Sequence, residues 1–159
     1  MSHPPQQHLA CRNFIEYDTS EWPLVRCRVK PVEPDTATFD AHLHCFSELL
    51  NRGQRFLVMF DLRDAKLISL AAMKKQADFM ESHKPQILSN LVASSLITDN
   101  ALVHGALGVL FKIKKPSKPN RTFRTPEEAQ PWMADEWRKA HEATANTVLL
   151  VAPKKFFFE

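Results

Sequence analysis

Six consecutive residues, Phe56-Leu57-Val58-Met59-Phe60-Asp61, restrict the fold more than any other part of the chain. Five are apolar without a polar break, and the run closes on an acid followed by Leu62-Arg63-Asp64. A strand of that composition has no polar face to offer water, so both its faces are buried. Amphipathic helical patterns flank it, one stopping at Gly53 and one starting at Ser69. A continuous apolar strand between two helices belongs to a parallel sheet covered on both sides.

The remaining elements fall around that strand. Phe14 to Asp18 reads as a first strand and Leu24 to Val29 as a second, with a turn at Thr19–Pro23 between them. Val25, Cys27 and Val29 alternate with Arg26, Arg28 and Lys30, giving one apolar and one basic face. An antiparallel hairpin brings Glu16 and Asp18 near Arg26 and Arg28, pairs that favour this register by about a few tenths of a kcal/mol each. Asp35 or Thr36 caps the next helix, whose stripe is Phe39, Leu43, Phe46 and Leu50; Gly53 ends it as a left-handed C′ residue. Ser69 caps another helix, with Leu70, Met73, Ala77 and Met80 inward, and Lys84-Pro85 stops it. Leu91–Ile97 is a third parallel strand, its small residues suiting a closely packed helix. Thr98 or Asp99 caps a helix to about Phe111. A short strand at 122–124 precedes Thr125-Pro126-Glu127-Glu128, a capping box with proline at the first helical position. Ala129, Trp132, Met133 and Trp137 face inward there, and Val148–Val151 reads as a further strand. The sum is an α/β chain, a βα superhelix with a mostly parallel sheet of about five strands, an antiparallel N-terminal edge hairpin and four flanking helices.

Composition narrows the function by exclusion. An apolar fraction of 44% and a charged fraction of 25% are ordinary for a globular domain. No stretch reaches the ~20 apolar residues of a membrane span. The N-terminus carries neither a signal core nor an Arg-rich amphipathic helix, so the expected compartment is the cytoplasm. Cys11, Cys27 and Cys45 are odd in number and lack CxxC spacing, against a disulfide framework or a zinc site. A formal charge of +3 is too small to indicate nucleic acid. The 3 glycines cannot assemble a GxGxxG loop or a P-loop. We expect no cofactor and no metal. His42 and His44 lie two apart and point away from each other on a helix, and His42 with Cys45 makes only a pair of ligands.

The strand ending in Asp61-Leu62-Arg63 and the closing Phe123-Arg124-Thr125-Pro126-Glu127-Glu128-Ala129-Gln130-Pro131-Trp132-Met133 resemble the STAS superfamily. These are the sulfate-transporter and anti-sigma-factor-antagonist domains with the SpoIIAA-like fold, and the similarity is closest to uncharacterised, free-standing members. It covers residues from about 14 to 137. The polar, Pro-rich residues 1–12 read as an N-terminal arm, followed by a STAS-like domain at 13–141 and a C-terminal extension at 142–159. The resemblance implies a non-enzymatic domain that binds a protein partner, as a regulatory adaptor or subunit. In regulatory members a Ser or Thr after an Asp opens the second helix and is phosphorylated. Here a gapless register puts Ser69 at the Asp position and Leu70 at the acceptor; a shift by one makes Ser69 the acceptor, preceded by Ile68.

Four groups of residues are candidate sites. Asp61, Arg63 and Asp64 lie at the carboxyl end of a central strand, where open α/β sheets bind ligands and partners. With Ser69 and Lys74 they form the expected partner-binding face, against the plainer reading of a local salt bridge and a helix cap. Lys112, Lys114, Lys115, Lys118 and Arg121 form a basic loop suited to a phosphate-bearing or acidic surface. No aromatics interleave it, which argues against single-stranded nucleic acid. Phe156, Phe157 and Phe158 form an apolar end that docks in cis or on a partner. An alternative function is carriage of a lipid or small apolar ligand between helix and sheet, with Phe46, Phe79 and Met80 lining the space. No catalytic set is legible, since no nucleophile stands with a base at recognisable spacing.

Overall fold

The computed structural model describes residues 11–151, with side chains described to 144. In chain order the elements are β1 (Ile15–Asp18), β2 (Leu24–Val29), α1 (Thr36–Leu50), β3 (Phe56–Asp61), α2 (Leu70–Ser82), α3 (Lys84–Asn90), β4 (Leu91–Ile97), α4 (Ala101–Ile113), β5 (Asn120–Phe123) and α5 (Pro126–Val151). The strands form one sheet in the order β1-β2-β3-β4-β5. β1 and β2 are antiparallel, with Glu16 opposite Arg28 and Asp18 opposite Arg26. The other pairs are parallel.

β3 sits at the centre, and its alternation divides the core in two. Phe56 and Val58 join the cluster under α1, with Phe39, Phe46 and Leu50. Leu57 and Met59 point the other way and pack with Ala129 and Met133 of α5. Residues Phe56 to Met59 are all buried, and each such large side chain contributes roughly 1.5–3 kcal/mol relative to exposure. On the α5 face Ser95 is fully buried and its hydroxyl lies 3.0 Å from Met133 Sδ. The small side chains of Ala93 and Ser95 let that helix approach β4.

Caps follow short-range chemistry, and the structure moves several of the expected ones. Asp35 accepts from Thr38 N at 2.7 Å and Ser69 from Ala72 N at 3.1 Å. Thr125 accepts from Glu128 N at 3.2 Å, as a capping box requires. Asn100, rather than Thr98 or Asp99, caps α4, accepting from Leu102 N at 2.8 Å. Thr98 instead accepts from Asn100 N at 3.1 Å and fixes the turn before it. Gly53 has φ 70°, but α1 is capped at Asn51, so the glycine serves the turn into β3 two residues later.

Three larger differences concern helices. Lys84-Pro85 ends α2 but also opens α3, a fifth helix, because proline is tolerated in a first turn where its missing N–H is not needed. Val148–Val151 is no strand: α5 runs 26 residues from Pro126 to Val151. Leu70 is 61% exposed rather than part of the inward stripe of α2, which consists of Met73, Ala77 and Phe79 with Met80 half-buried. Of the expected arm at 1–12, residues 1–10 lie outside the described residues, as do the three terminal Phe residues, while Cys11 is buried in the core. Among the described residues no helix is long and apolar enough to cross a membrane.

Candidate functional site

At the carboxyl edge of the sheet, Asp61 leaves β3 and is held by the residue two places on. Arg63 donates from Nε and Nη2 to the two carboxylate oxygens at 2.9 and 2.7 Å, and its backbone N–H adds a third bond at 3.1 Å. The Arg63 hydrogen bonds hold the Asp61 carboxyl below its ordinary range, against partial burial. Asp64 pairs with Arg28 of β2 at 3.3 Å. Ser69 is exposed and engaged as the cap of α2, and Lys74 is exposed on the same helix. Asp61 and Arg63 are closed on each other and Asp64 on Arg28, while Ser69 and Lys74 follow on α2. Leu67, 46% exposed, and Leu70 project beside them.

The basic loop is partly committed. Lys114 forms an ion pair with Glu81 of α2. The Arg121 guanidinium lies over the Phe123 ring, 5.2 Å from its centroid. Lys112 and Lys115 are exposed. Lys118 donates to the Leu88 carbonyl at 3.4 Å and has no carboxylate partner among the described residues.

The feature that unites these segments is a cavity. Leu110 of α4 is buried with Met73 and Ala77 of α2 in a cluster of their own, apart from the two main cores. Between α4 and the β3 and β4 side chains lies an apolar cavity of about 210 Å³. Val58 and Phe60 of β3, and Ser94 and Leu96 of β4, form its floor, and Ala106, Leu107 and Phe111 form its roof. Phe46 and Met80 lie in its wall. Phe79, the third residue expected there, is behind the wall, its ring edge-on to Phe46 at 6.0 Å. The loop at 65–68 closes the carboxyl end and Pro116–Lys118 the amino end. Small side chains, Ala106 of α4 and Ser94 of β4, are part of the cavity lining. The glycines of α4 do not create it. Gly105 and Gly108 are exposed, and a Cβ added to either meets nothing within 4 Å, so neither serves close helix packing.

The polar side chains of the lining are His42, Gln76, Ser94, Ser117 and Asn120, with Lys66 and Lys118 at the two ends. His42 is buried among aromatic rings, edge-on to Phe14 and Phe39 at 5.6 and 5.4 Å. Its Nδ1 lies 2.7 Å from the Tyr17 hydroxyl and its Nε2 3.4 Å from Gln76 Oε1. Burial pushes its pKa down to about 4, with the Gln76 contact acting weakly upward. The neutral ring then donates from Nε2 to Gln76 and accepts the Tyr17 hydrogen at Nδ1. At the amino end Asn120 Nδ2 donates to Ser94 Oγ at 3.3 Å.

The three cysteines are buried and form no disulfide. The hydrogen bond to Cys45, then burial, pushes the Cys11 thiol up, and burial pushes Cys27 up, so neither is a reactive thiolate. No group of three His, Cys, Asp or Glu residues among the described ones is arranged to hold a metal.

Tyr17, Gln76, Ser94 and Asn120 were not singled out from sequence. A tyrosine on the apolar face of an edge strand was a usable signal for Tyr17; the others depend on which residues the topology brings opposite one another.

No family model matches the chain, and no curated protein matches it. Among solved structures it is similar to the crystal structure of an uncharacterized protein of the DUF3478 family from Shewanella loihica PV-4, described as having a SpoIIAA-like fold. The TM-score is 0.55 at 12% identity, over 74% of this chain and 90% of that one. Five strands, antiparallel at β1–β2 and parallel elsewhere, agree with that description. This chain has a SpoIIAA-like fold.

Proposed function

We propose that this chain is a non-catalytic binding domain that carries a small apolar ligand between α4 and the sheet. The cavity carries the reading. At about 210 Å³ it is larger than the roughly 150 Å³ apolar cavity that stays dry and accepts benzene in another protein. Its walls are Phe, Leu, Met and Val with a few fixed polar groups, the composition of a small-molecule site. Catalysis has no support from the same residues. His42 is neutral and occupied on both nitrogens, the Cys11 and Cys27 thiols are protonated, and Asp61 is tied to Arg63.

Native mass spectrometry of protein purified without detergent tests this. A non-covalent adduct released on denaturation is expected, and a bare mass that no added apolar compound shifts overturns the reading.

A second reading, an adaptor or complex subunit in the cytoplasm, is favoured by the carboxyl edge. Leu67 and Leu70 are exposed there beside Arg63 and Lys74, an apolar pair rimmed by charge. The basic loop adds a surface for an acidic or phosphate-bearing partner. Co-purification of a protein that is lost on Arg63→Glu or Lys74→Glu supports it; a complex that survives both places the contact elsewhere.

A further inference from the structure

The amino end of the cavity differs chemically from the rest of its wall. Ser94 faces the cavity from β4 and is 8% exposed. Its oxygen accepts from Asn120 Nδ2 at 3.3 Å, and among the described residues its own hydroxyl hydrogen has no acceptor. Lys118 lines the same end, two residues before Asn120. Among the described residues its ammonium meets only the carbonyl of Leu88, at 3.4 Å on the rim between this cavity and a second pocket, which leaves two of its three hydrogens and its charge unmatched there. Beyond these groups, towards Phe60 and Leu96, the wall is apolar apart from the His42–Gln76 pair and the exposed Lys66 in the loop at the opposite end, which has no lining hydroxyl or amide of this kind beside it among the described residues.

A hydroxyl donor, an amide and an unpaired ammonium at one end of an apolar tube select a ligand by its head. Resting on the carrier reading, we propose that the ligand is an amphiphilic carboxylate. Its charged head sits at Lys118 and accepts from Ser94, and its hydrocarbon lies under α4. A neutral head of the same size gains the apolar contacts but not the charge-assisted bonds, which are about twice as strong as neutral ones. The lysine side chain is half-buried, so part of its charge is screened; even so the acid is expected to bind at least about tenfold more tightly than the matching alcohol, or roughly 1.4 kcal/mol.

Isothermal titration with octanoate and 1-octanol, which share a tail, decides between heads. The intact protein is expected to prefer octanoate, Lys118→Met to bind both alike at the alcohol's affinity, and Ser94→Ala to weaken octanoate about threefold or more. Arg121→Met, on the opposite face of β5, should leave the preference unchanged. Equal binding of both compounds by the intact protein, or a preference that survives Lys118→Met, overturns the carboxylate assignment and leaves carriage standing. Binding of neither, confirmed for dodecanoate and 1-dodecanol, overturns carriage as well.

Discussion

The Tyr17 hydroxyl lies 2.7 Å from Nδ1 of His42, joining the edge hairpin to α1 across 25 residues of chain. The contact fixes the tautomer of a histidine at the wall of the cavity. The burial of that histidine ties the stability of the domain to pH.

The His42 pKa falls from 6.5 to about 4 because burial disfavours the charged ring. The unfolded chain therefore binds a proton between these values that the folded chain refuses. Stability is at its full value above about pH 6.5 and declines as pH falls towards 4, by roughly 3 kcal/mol across the window. Urea midpoints at pH 7 and pH 5 should differ for the native sequence and much less for His42→Gln. Parallel curves for the two would contradict the assignment.

Tyr17→Phe leaves Nδ1 of His42 without its donor while keeping the ring. We expect a loss of about 1–2 kcal/mol, read as a lower Tm.

Ser69 holds the first turn of α2 through Ala72 N. Ser69→Ala should cost about 1 kcal/mol, and Ser69→Asp, which caps as well, close to nothing. A phosphorylation switch needs more than this. If Ser69→Asp releases a co-purifying protein at unchanged Tm, the serine is regulatory as well as a cap.

The Asp61–Arg63 pair shapes the loop that closes the carboxyl end of the cavity. Arg63→Ala should return the Asp61 carboxyl to its ordinary range, detectable by carbon-detected NMR titration. Because Arg63 binding lowers the folded pKa of Asp61, the contribution is present above the ordinary carboxylate value and lost as pH falls through the folded one. The side chains are 24% and 44% exposed, so its size is below about 1 kcal/mol.

Most of the architecture could be read from short-range patterns, because the elements concerned are decided locally. The unbroken run at 56–61, the alternation at 24–29 and the Ser69 and Thr125 caps each need only neighbouring residues. What escaped reading depended on distance. α3 arises because proline both ends one helix and begins another. The α4 cap passed to Asn100 once Thr98 was engaged in the preceding turn. The length of α5 rests on residues whose apolar periodicity is weak. The cavity itself is lined by Ala106 of α4 and Ser94 of β4, two small residues with nothing to mark them in sequence. Lys118 read as part of a basic loop, and only the placement of β5 beside β4 brings it to the mouth of that cavity.

Filling and emptying the two faces of the sheet should have opposite effects. Ala106→Phe occupies the cavity, so it should abolish ligand binding at a Tm no lower than that of the native sequence. Leu57→Ala hollows the α5 face; it should cost about 2–5 kcal/mol and leave the affinity of the remaining folded protein unchanged.

Methyl NMR during addition of octanoate tests the location of the ligand most directly. The account predicts shifts in Leu96, Ala106, Leu107 and Leu110, with Leu57 and Ala129 across the sheet and exposed Leu102 unmoved. Shifts centred on Leu102 or on the α5 face, with the residues under α4 unchanged, would contradict it.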